Sequence, residues 1–502
     1  KQGAAMSYSF LKTLNLSQES LNKVSRSLDR TVAGSDTIVT SPLAKRRDPD
    51  SILSEWDKIF NSKSKGLIKP LNEIEQANRS KFGPRSLAKG WVERAESLNH
   101  YFFSARDSVI NSETLADLKA TPSVGRRLRP LSPDQATKLL KNSTSSGLPR
   151  MIRKGEVKPT IVENLQSELE HQYPCVLFTR TQEQMKTRNV WGYPISDTLN
   201  EMRYYHPVLK VQQHVTWRNA LNGPERTDEA VTALMKRASM RKHSLVSIDF
   251  SSYDASISPT LQKAAFNYIS DMFQSKYDYE ISQLADRFST IGIITPDGIK
   301  SGYHGVPSGS TFTNEVDSIV QYLIAKNFGL EDFSMQIQGD DGLHSVDNPS
   351  ALMKHFERYG LQVNESKSMV STTTCSFLQR LYDYSYMRNG KFVGIYSTYR
   401  ALTRIIYPER FVELSDDIIS GQDYHSIRVL SILENCKHHP LFAEFVKFVH
   451  SLDKFGLAYS QNGLMSYVYE INKETKTDGI NTNQYDANVS GLNNFETVKL
   501  LK

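Results

Sequence analysis

Residues 333–346, FSMQIQGDDGLHSV, constrain this chain more than any other stretch. Phe333, Met335 and Ile337 alternate with polar neighbours, which is the two-residue period of a strand. Gly339 and Gly342 flank Asp340 and Asp341, so the strand turns there and returns. The segment predicts strand, tight turn, strand, with two carboxylates side by side at the tip. Gly-Asp and Asp-Gly are ordinary turn chemistry, and taken alone a turn explains them. Left close and unmetallated, however, two carboxylates repel one another and one pKa rises. A hard cation shared with further carboxylates relieves that repulsion, which makes the tip a candidate metal site.

The flanking patterns say what such a tip sits in. Residues 243–254, HSLVSIDFSSYD, read as a strand, with Leu245, Val246, Ile248 and Phe250 around Asp249. A helix follows, because Leu261, Ala264, Ala265, Tyr268, Ile269 and Met272 recur at helical spacing. Residues 301–309 form a Gly-rich loop, and Thr313 opens a second helix with Val316, Ile319, Val320, Leu323 and Ile324 on one face. A helix near 349–359 and a strand near 375–382 come next. The order β-α-loop-α-β-turn-β-α-β predicts an α+β domain with an antiparallel sheet backed by helices. If the Asp249 strand lies beside the hairpin tip, Asp249 and Asp340 can share Mg²⁺, which prefers a few carboxylates plus phosphates and water. Two such ions about 3.5–4 Å apart stabilise both the attacking and the leaving oxygen of a phosphoryl displacement.

Charge points the same way. The chain has 502 residues and a net charge of +6, too mild to demand a polyanionic partner by itself. Between Lys119 and Lys158, however, ten Lys and Arg face only Asp134 and Glu156. That excess is the footprint of a nucleic-acid channel, unless it is a solvated face. Cys175, Cys375 and Cys436 are far apart and show neither disulfide nor zinc spacing, which predicts a reducing, intracellular setting. Asn142-Ser143-Thr144 is then a chance glycosylation sequon. No apolar run reaches the ~18–20 residues of a membrane span, and no signal peptide is visible. Lys1 to Met6 read as a cloning remnant ahead of Met6. Residues 1–120 are polar and helical, with a loop over 34–50.

Taken in order, the motifs carry a resemblance. "DFSSYD", "GVPSGSTFTN", "QGDDG" and "NESKS" resemble motifs A, B, C and D of viral RNA-dependent RNA polymerases. The variant of the second is similar to that of the picobirnavirus and partitivirus-like group of double-stranded RNA viruses. "TSSGLP" (144–149) resembles motif G, "RTQEQMKTRNVWGYP" (180–194) motif F, and "SFLQRLY" (376–382) the motif E hairpin. The resemblance covers residues 144–381.

It implies a role for each matching residue. Asp249 and Asp340, with Asp341 helping, would hold Mg²⁺, for which Mn²⁺ can substitute. Lys367 would stand near the leaving pyrophosphate as a proton donor or counter-charge. Arg180, Lys186 and Arg188 would grip the triphosphate, where arginine offers a bidentate fork. Asp254 would sense the ribose 2′-hydroxyl, which separates RNA from DNA precursors; otherwise it caps a helix. Ser308 and Gly309 open the motif B loop, which approaches template and nascent pair, and Thr313 is a nucleotide-sensing position. The family often has Asn four residues after that threonine. This chain has Asp317 there and Asn314 directly after Thr313, so either completes the ribose pocket. Ser146, Gly147, Leu148 and Pro149 would contact the template, and Arg380 the primer strand or nucleotide.

The implied architecture is a right-hand polymerase. It has an N-terminal segment (7–120) bridging fingers and thumb, fingers (121–242), a palm with an inserted fingers part (243–385), a thumb (386–470) and an Asn- and Thr-rich tail (471–502). The implied reaction is templated addition of NTPs to an RNA 3′ end, replicating and transcribing a viral RNA genome. The implied setting is a monomer inside a capsid in the host cytoplasm, with RNA template and product, NTPs and capsid protein as partners and no membrane. Two rivals stand beside it. A reverse transcriptase would carry a bulky aromatic near Asp254, where this chain has an acid. A catalytically dead RNA-binding scaffold would not need intact acids at 249, 340 and 341.

Overall fold

The structure is a computed structural model that describes residues 8–412, 418–475, 484–489 and 491–502. Lys1 to Met6, part of the tail (476–483 and 490) and residues 413–417 lie outside the described residues. The alternation at 333–346 folds as expected. Met335–Gln338 and Asp341–Val346 are paired strands, with Gln338 opposite Asp341. Gly339, at φ +63°, makes the turn. Strand Ser244–Ile248 pairs antiparallel with Asp341–Val346, and Met369–Ser371 closes the far edge. All four strands of this central sheet are antiparallel to their neighbours.

Period two sends alternate residues to opposite faces, and here both faces are covered. Val246, Ile248, Met335 and Ile337 join a core with helices Pro259–Ser270 and Thr313–Phe328. Leu245 and Leu343, on the other face, pack with Val231, Leu234 and Met235 of helix Pro224–Arg241. Burying each such side chain stabilises by roughly 1.5–3 kcal/mol, and a one-residue slip would exchange the two sets. The register that brings Gly342 opposite Ile248 is therefore set by packing, and it also sets where the acids stand.

A second sheet was not in the predicted order. Cys175–Thr181 and Thr187–Gly192 form a hairpin, and Ile293–Thr295 joins it in parallel, followed by Gly298–Lys300. Helix Asp278–Thr290 leads into the added strands. Strands of three residues show no readable alternation, which is why pattern reading passes over them. The strand expected near 375–382 is two strands, Thr374–Phe377 and Arg380–Asp383, joined by Leu378 and Gln379 at φ +54° and +63°. Two positive φ values make the tight turn that matches strand twist.

The polar N-terminal region is helical, and its loop over 34–50 holds one short helical turn, Pro42–Lys45. Helices Gln18–Ala33 and Trp91–Asn99 pack on the second sheet through Val24, Leu28, Trp91 and Leu98. Helices Pro49–Lys63 and Lys69–Arg79 pack instead against the C-terminal helices. Trp56 meets Phe445 at 4.9 Å between ring centres, and Phe60 meets Tyr399 at 5.3 Å. The described end of the tail is folded: Leu492, Phe495 and Val498 are buried, and Glu434 accepts from the N–H groups of Glu496 and Thr497. All three cysteines are buried free thiols. Among the described residues no helix is long and apolar enough to cross a membrane.

Candidate active site

At one end of the central sheet the strand carrying Asp249 and the hairpin tip carrying Asp340 and Asp341 come together. The tip is held from below by helix Thr313–Phe328. Ser318 Oγ accepts from Gly339 N–H at 2.8 Å, and Gln321 Nε2 donates to Gly339 O at 3.1 Å. A Cβ on Gly342 would stand 1.7 Å from Gln321 Oε1, so only glycine fits beside this amide. The "NESKS" segment grips Asp249 by its backbone. Ser368 Oγ accepts from Asp249 N–H at 3.0 Å, and Asn364 N–H donates to Asp249 O at 2.8 Å. That turn leaves Lys367 exposed. The motif E hairpin supports the tip in turn, since Leu378 N–H donates to Asp341 Oδ2 at 2.8 Å.

The acids feel one another. Burial, then the charges of Asp254 and Asp249, raise the Asp340 carboxyl, while Arg188 opposes them. Burial raises Asp341 to about 7, with Leu378 N–H opposing and Asp340 and Asp249 adding. Among the described residues no three His, Cys, Asp or Glu side chains stand close enough to hold a metal ion by themselves.

Asp254 lies in the short helix Tyr253–Ser256 and caps nothing; Ser258 caps the next helix, accepting from Leu261 N–H. Its Oδ2 accepts from Ser308 Oγ at 2.5 Å. Asp317 is buried beside it. No N–H or O–H donor reaches Asp317 Oδ1, and burial, then Asp254 and Asp340, push this carboxyl far up. Asp254 adds to that rise both by its charge and by a hydrogen bond between the two side chains. Asn314 accepts from Arg218 Nη2 at 3.3 Å and its Nδ2 lies against Gly339 of the hairpin tip. Of the two residues left open for the ribose pocket, Asp317 is the one in contact with Asp254. Thr313 Oγ1 donates to Pro307 O at 2.8 Å and so braces the loop it follows.

The hairpin of the second sheet supplies cations above the acids. Arg180 pairs with Arg188 across it. Lys186 is lowered by partial burial, then by Arg188, Lys81 and Lys367, so these four positive side chains share one region. Arg180 also lies 3.8 Å from Glu409.

Two expectations at the RNA meet a different arrangement. Ser146 and Leu148 are interior, 1% and 0% exposed. Ser146 N–H donates to Ile152 O, Ser146 O accepts from Ile195 N–H, and a Cβ on Gly147 would stand 2.4 Å from Tyr193 O. The motif G loop turns these residues inward to hold its own shape, with only Pro149 partly open. Its surface is instead Ser145, Met151 and Arg153, beside Lys23, Arg26 and Arg30 of the first long helix, around recesses of about 300 and 480 Å³. Arg380 is likewise buried, 4% exposed. It donates to Asn435 Oδ1 at 2.8 Å and lies over Tyr396, tying the hairpin to the C-terminal helices. Part of the basic run over 119–158 is structural as well: Arg127 donates to Phe273 O, and Arg150 pairs with Glu168.

Other contributors gave no sequence signal. Tyr101 OH lies 3.1 Å from Ser308 Oγ, 207 residues away. Arg218, fully buried, pairs with Glu315 at 2.9 Å and donates to Gln338 just before the tip. Neither falls in a motif, and spacing along the chain does not report such contacts.

With this geometry in hand, similarity to known proteins can be placed on it. A family model for viral RNA-dependent RNA polymerase matches residues 95–408. The potential RNA-dependent RNA polymerase of human picobirnavirus (strain Human/Thailand/Hy005102/-) is 29% identical over 468 residues, 87% of this chain and 86% of that one. The RNA-directed RNA polymerase of Cryptosporidium parvum virus 1 (strain KSU-1) is 26% identical over 342 residues, 59% of this chain and 64% of its own. The crystal structure of a human picobirnavirus RNA-dependent RNA polymerase superposes with a TM-score of 0.78 at 26% identity, covering 94% of this chain and 95% of that chain.

Proposed function

This chain belongs to the viral RNA-dependent RNA polymerases, with their right-hand fold, and from that premise we propose how its own residues carry out templated RNA synthesis. The observation that carries the reading is the convergence of Asp249, Asp254 and Asp340 at one sheet end with Arg188 close enough to oppose their charge. Asp249 and Asp340, with Asp341 beside them, fit Mg²⁺ by donor chemistry, since they are hard oxygens whose repulsion a cation relieves. When bound, the ions supply charge neutralisation at the attacking 3′ oxygen and the leaving pyrophosphate.

The remaining work falls to the protein. Arg180, Lys186 and Arg188 hold the triphosphate, with arginine forks suited to phosphate oxygens. Lys367, exposed near Lys186, neutralises the departing pyrophosphate or gives it a proton. Asp254, braced by Ser308 and hydrogen-bonded to Asp317, reads the 2′-hydroxyl as acceptor. Gly309 and Thr313 shape the loop under the nascent pair. Most of the rate then comes from positioning and electrostatics, as in other phosphoryl transfers. Template contacts fall to Ser145, Arg153, Lys23, Arg26 and Arg30, whose recess suits a phosphate backbone. Replication and transcription both follow from this one reaction.

The test is RNA synthesis by the purified chain on single-stranded RNA, with and without a primer, with four NTPs and Mg²⁺ or Mn²⁺, beside Asp340→Ala. Product from the parent and none from the variant is expected. Preferential use of dNTPs on a primed template, or no product from the parent under any of these conditions, would overturn the reading.

A further inference from the structure

One buried acid has no part in the reaction above. Glu201, on helix Ile195–Gln212, is 4% exposed. Other buried acids nearby have cation partners: Asp197 pairs with Arg287 at 3.0 Å and Glu315 with Arg218. Glu201 is bonded instead to the loop ahead of helix Thr313–Phe328. Its Oε2 stands 2.6 Å from Ser310 Oγ, and its Oε1 accepts from Thr311 N–H at 3.1 Å. Ser310 Oγ in turn accepts from Phe312 N–H at 3.0 Å.

The same loop is pinned at its other side. Ser308 O accepts from Trp191 N–H at 2.8 Å, and Ser308 Oγ reaches Asp254. Gly309, at φ +147°, lies so close to Trp191 that a Cβ would stand 2.1 Å from Trp191 O. Between these two anchors stands Gly309, whose N–H donates to Thr313 Oγ1 at 3.4 Å, so the position of Ser308 against Asp254 depends on the anchors at both sides of it.

We propose that Glu201 is a positioning residue for sugar recognition: by fixing Ser310 and Thr311 it sets where Ser308 meets Asp254, and so how strongly ribonucleotides are preferred over deoxyribonucleotides. The proposal rests on Asp254 as the sugar-reading residue. The groups facing Glu201 are Asp197 on its own helix, Arg287 on helix Asp278–Thr290, and Tyr193 and Cys175 from the second sheet. Burial pushes Glu201 up to about 8, with the Ser310 and Thr311 bonds opposing. Ser310 O–H donates to Oε2 and Thr311 N–H to Oε1, so Glu201 accepts both bonds. Glutamine keeps an acceptor for Thr311 N–H and can donate to Ser310 Oγ in place of accepting from it, and leucine does neither.

The experiment measures single-nucleotide KM and kcat for NTP and dNTP on a primed template, with melting and primer–template affinity as controls. Glu201→Leu should lower the ribo-to-deoxy preference by about tenfold and raise the NTP KM by a similar factor, with kcat changed far less. Glu201→Gln should match the parent at pH 7. As pH rises through about 8, Glu201 charges and accepts both bonds more strongly, so the parent's preference should rise while that of Glu201→Gln stays flat; Asp317 is common to both. A folded Glu201→Leu protein with unchanged preference and KM would overturn the proposal, as would a Glu201→Gln protein as impaired as Glu201→Leu. If leucine prevents folding, Ser310→Ala removes the Ser310 contacts to Glu201 and Phe312 but keeps the Thr311 bond, and should shift the preference the same way by a smaller factor; no shift overturns the proposal. An active parent with insensitive variants refutes only this role, whereas an inactive parent refutes the polymerase reading and this role with it.

Discussion

Asp57 and Asp340 are the same residue type under opposite conditions. Asp57 lies in the seam between the N-terminal and C-terminal helices. It accepts from Arg79 Nε and Nη2 at 2.8 and 2.7 Å and from Tyr399 OH at 2.5 Å. Burial alone would raise it, but these bonds outweigh burial and hold it below the usual range. Asp340 faces Asp254 and Asp249, and its carboxyl is raised. The seam satisfies Asp57 and is held together by doing so. The cleft leaves its acids in mutual repulsion, which the proposed cation and triphosphate would relieve. One region is arranged for stability and, under the proposed function, the other for binding.

The largest contrast should come from Asp340→Asn. Removing a ligand worth several kcal/mol of transition-state stabilisation should cut RNA synthesis by on the order of 10³. The melting temperature should stay level or rise, because a repelled charge has gone. A large fall in melting temperature would show that Asp340 is structural after all. Trp56→Ala should do the reverse. Emptying a site packed against Phe60, Phe445 and Phe448 should cost about 3–5 kcal/mol in denaturant unfolding. Nucleotide addition at low temperature should stay within a few-fold of the parent.

Asp57→Ala should cost about 1–2 kcal/mol at neutral pH. Because the folded-state pKa is lowered, that stabilisation is present above the unfolded value of 3.8 and is lost as pH falls through the folded one. Parent and variant melting curves should therefore converge in acid. The smallest effect is that of Mg²⁺ itself, about 1 kcal/mol of stabilisation at several times its dissociation constant. Asp341 is raised to about 7, so its charging destabilises the metal-free fold as pH rises from 3.8 through 7. The Mg²⁺ effect should grow over the same upper range and vanish in Asp340→Asn.

The cleft was readable in the sequence because its parts are local. Met335 and Ile337 announce a strand by alternation, Gly339 and Gly342 announce the turn, and Val316, Ile319, Val320 and Leu323 announce the helix beneath. What pattern cannot supply is the partner. Ser146 and Leu148 belong to a motif yet face inward, because the loop closes on Ile152, Ile195 and Tyr193. Arg380 was expected at the primer strand or nucleotide through the resemblance of its hairpin to motif E, and its side chain is buried and donates to Asn435. Tyr101 and Glu201 had no signal, since each acts on a loop about a hundred residues or more away. The seam was less readable still. Most of it lies outside residues 95–408, where the family pattern resides.

The seam has a consequence for how the chain comes to be folded. Trp56 donates to Thr398, 342 residues later. At roughly 5–20 residues per second of synthesis, the helix carrying Trp56 and Phe60 leaves the ribosome about 20–70 s before its partners exist. Through that interval its apolar face has nothing native to cover it. Chaperone capture during translation should thus concentrate on the first hundred residues, and release should follow the appearance of the C-terminal helices.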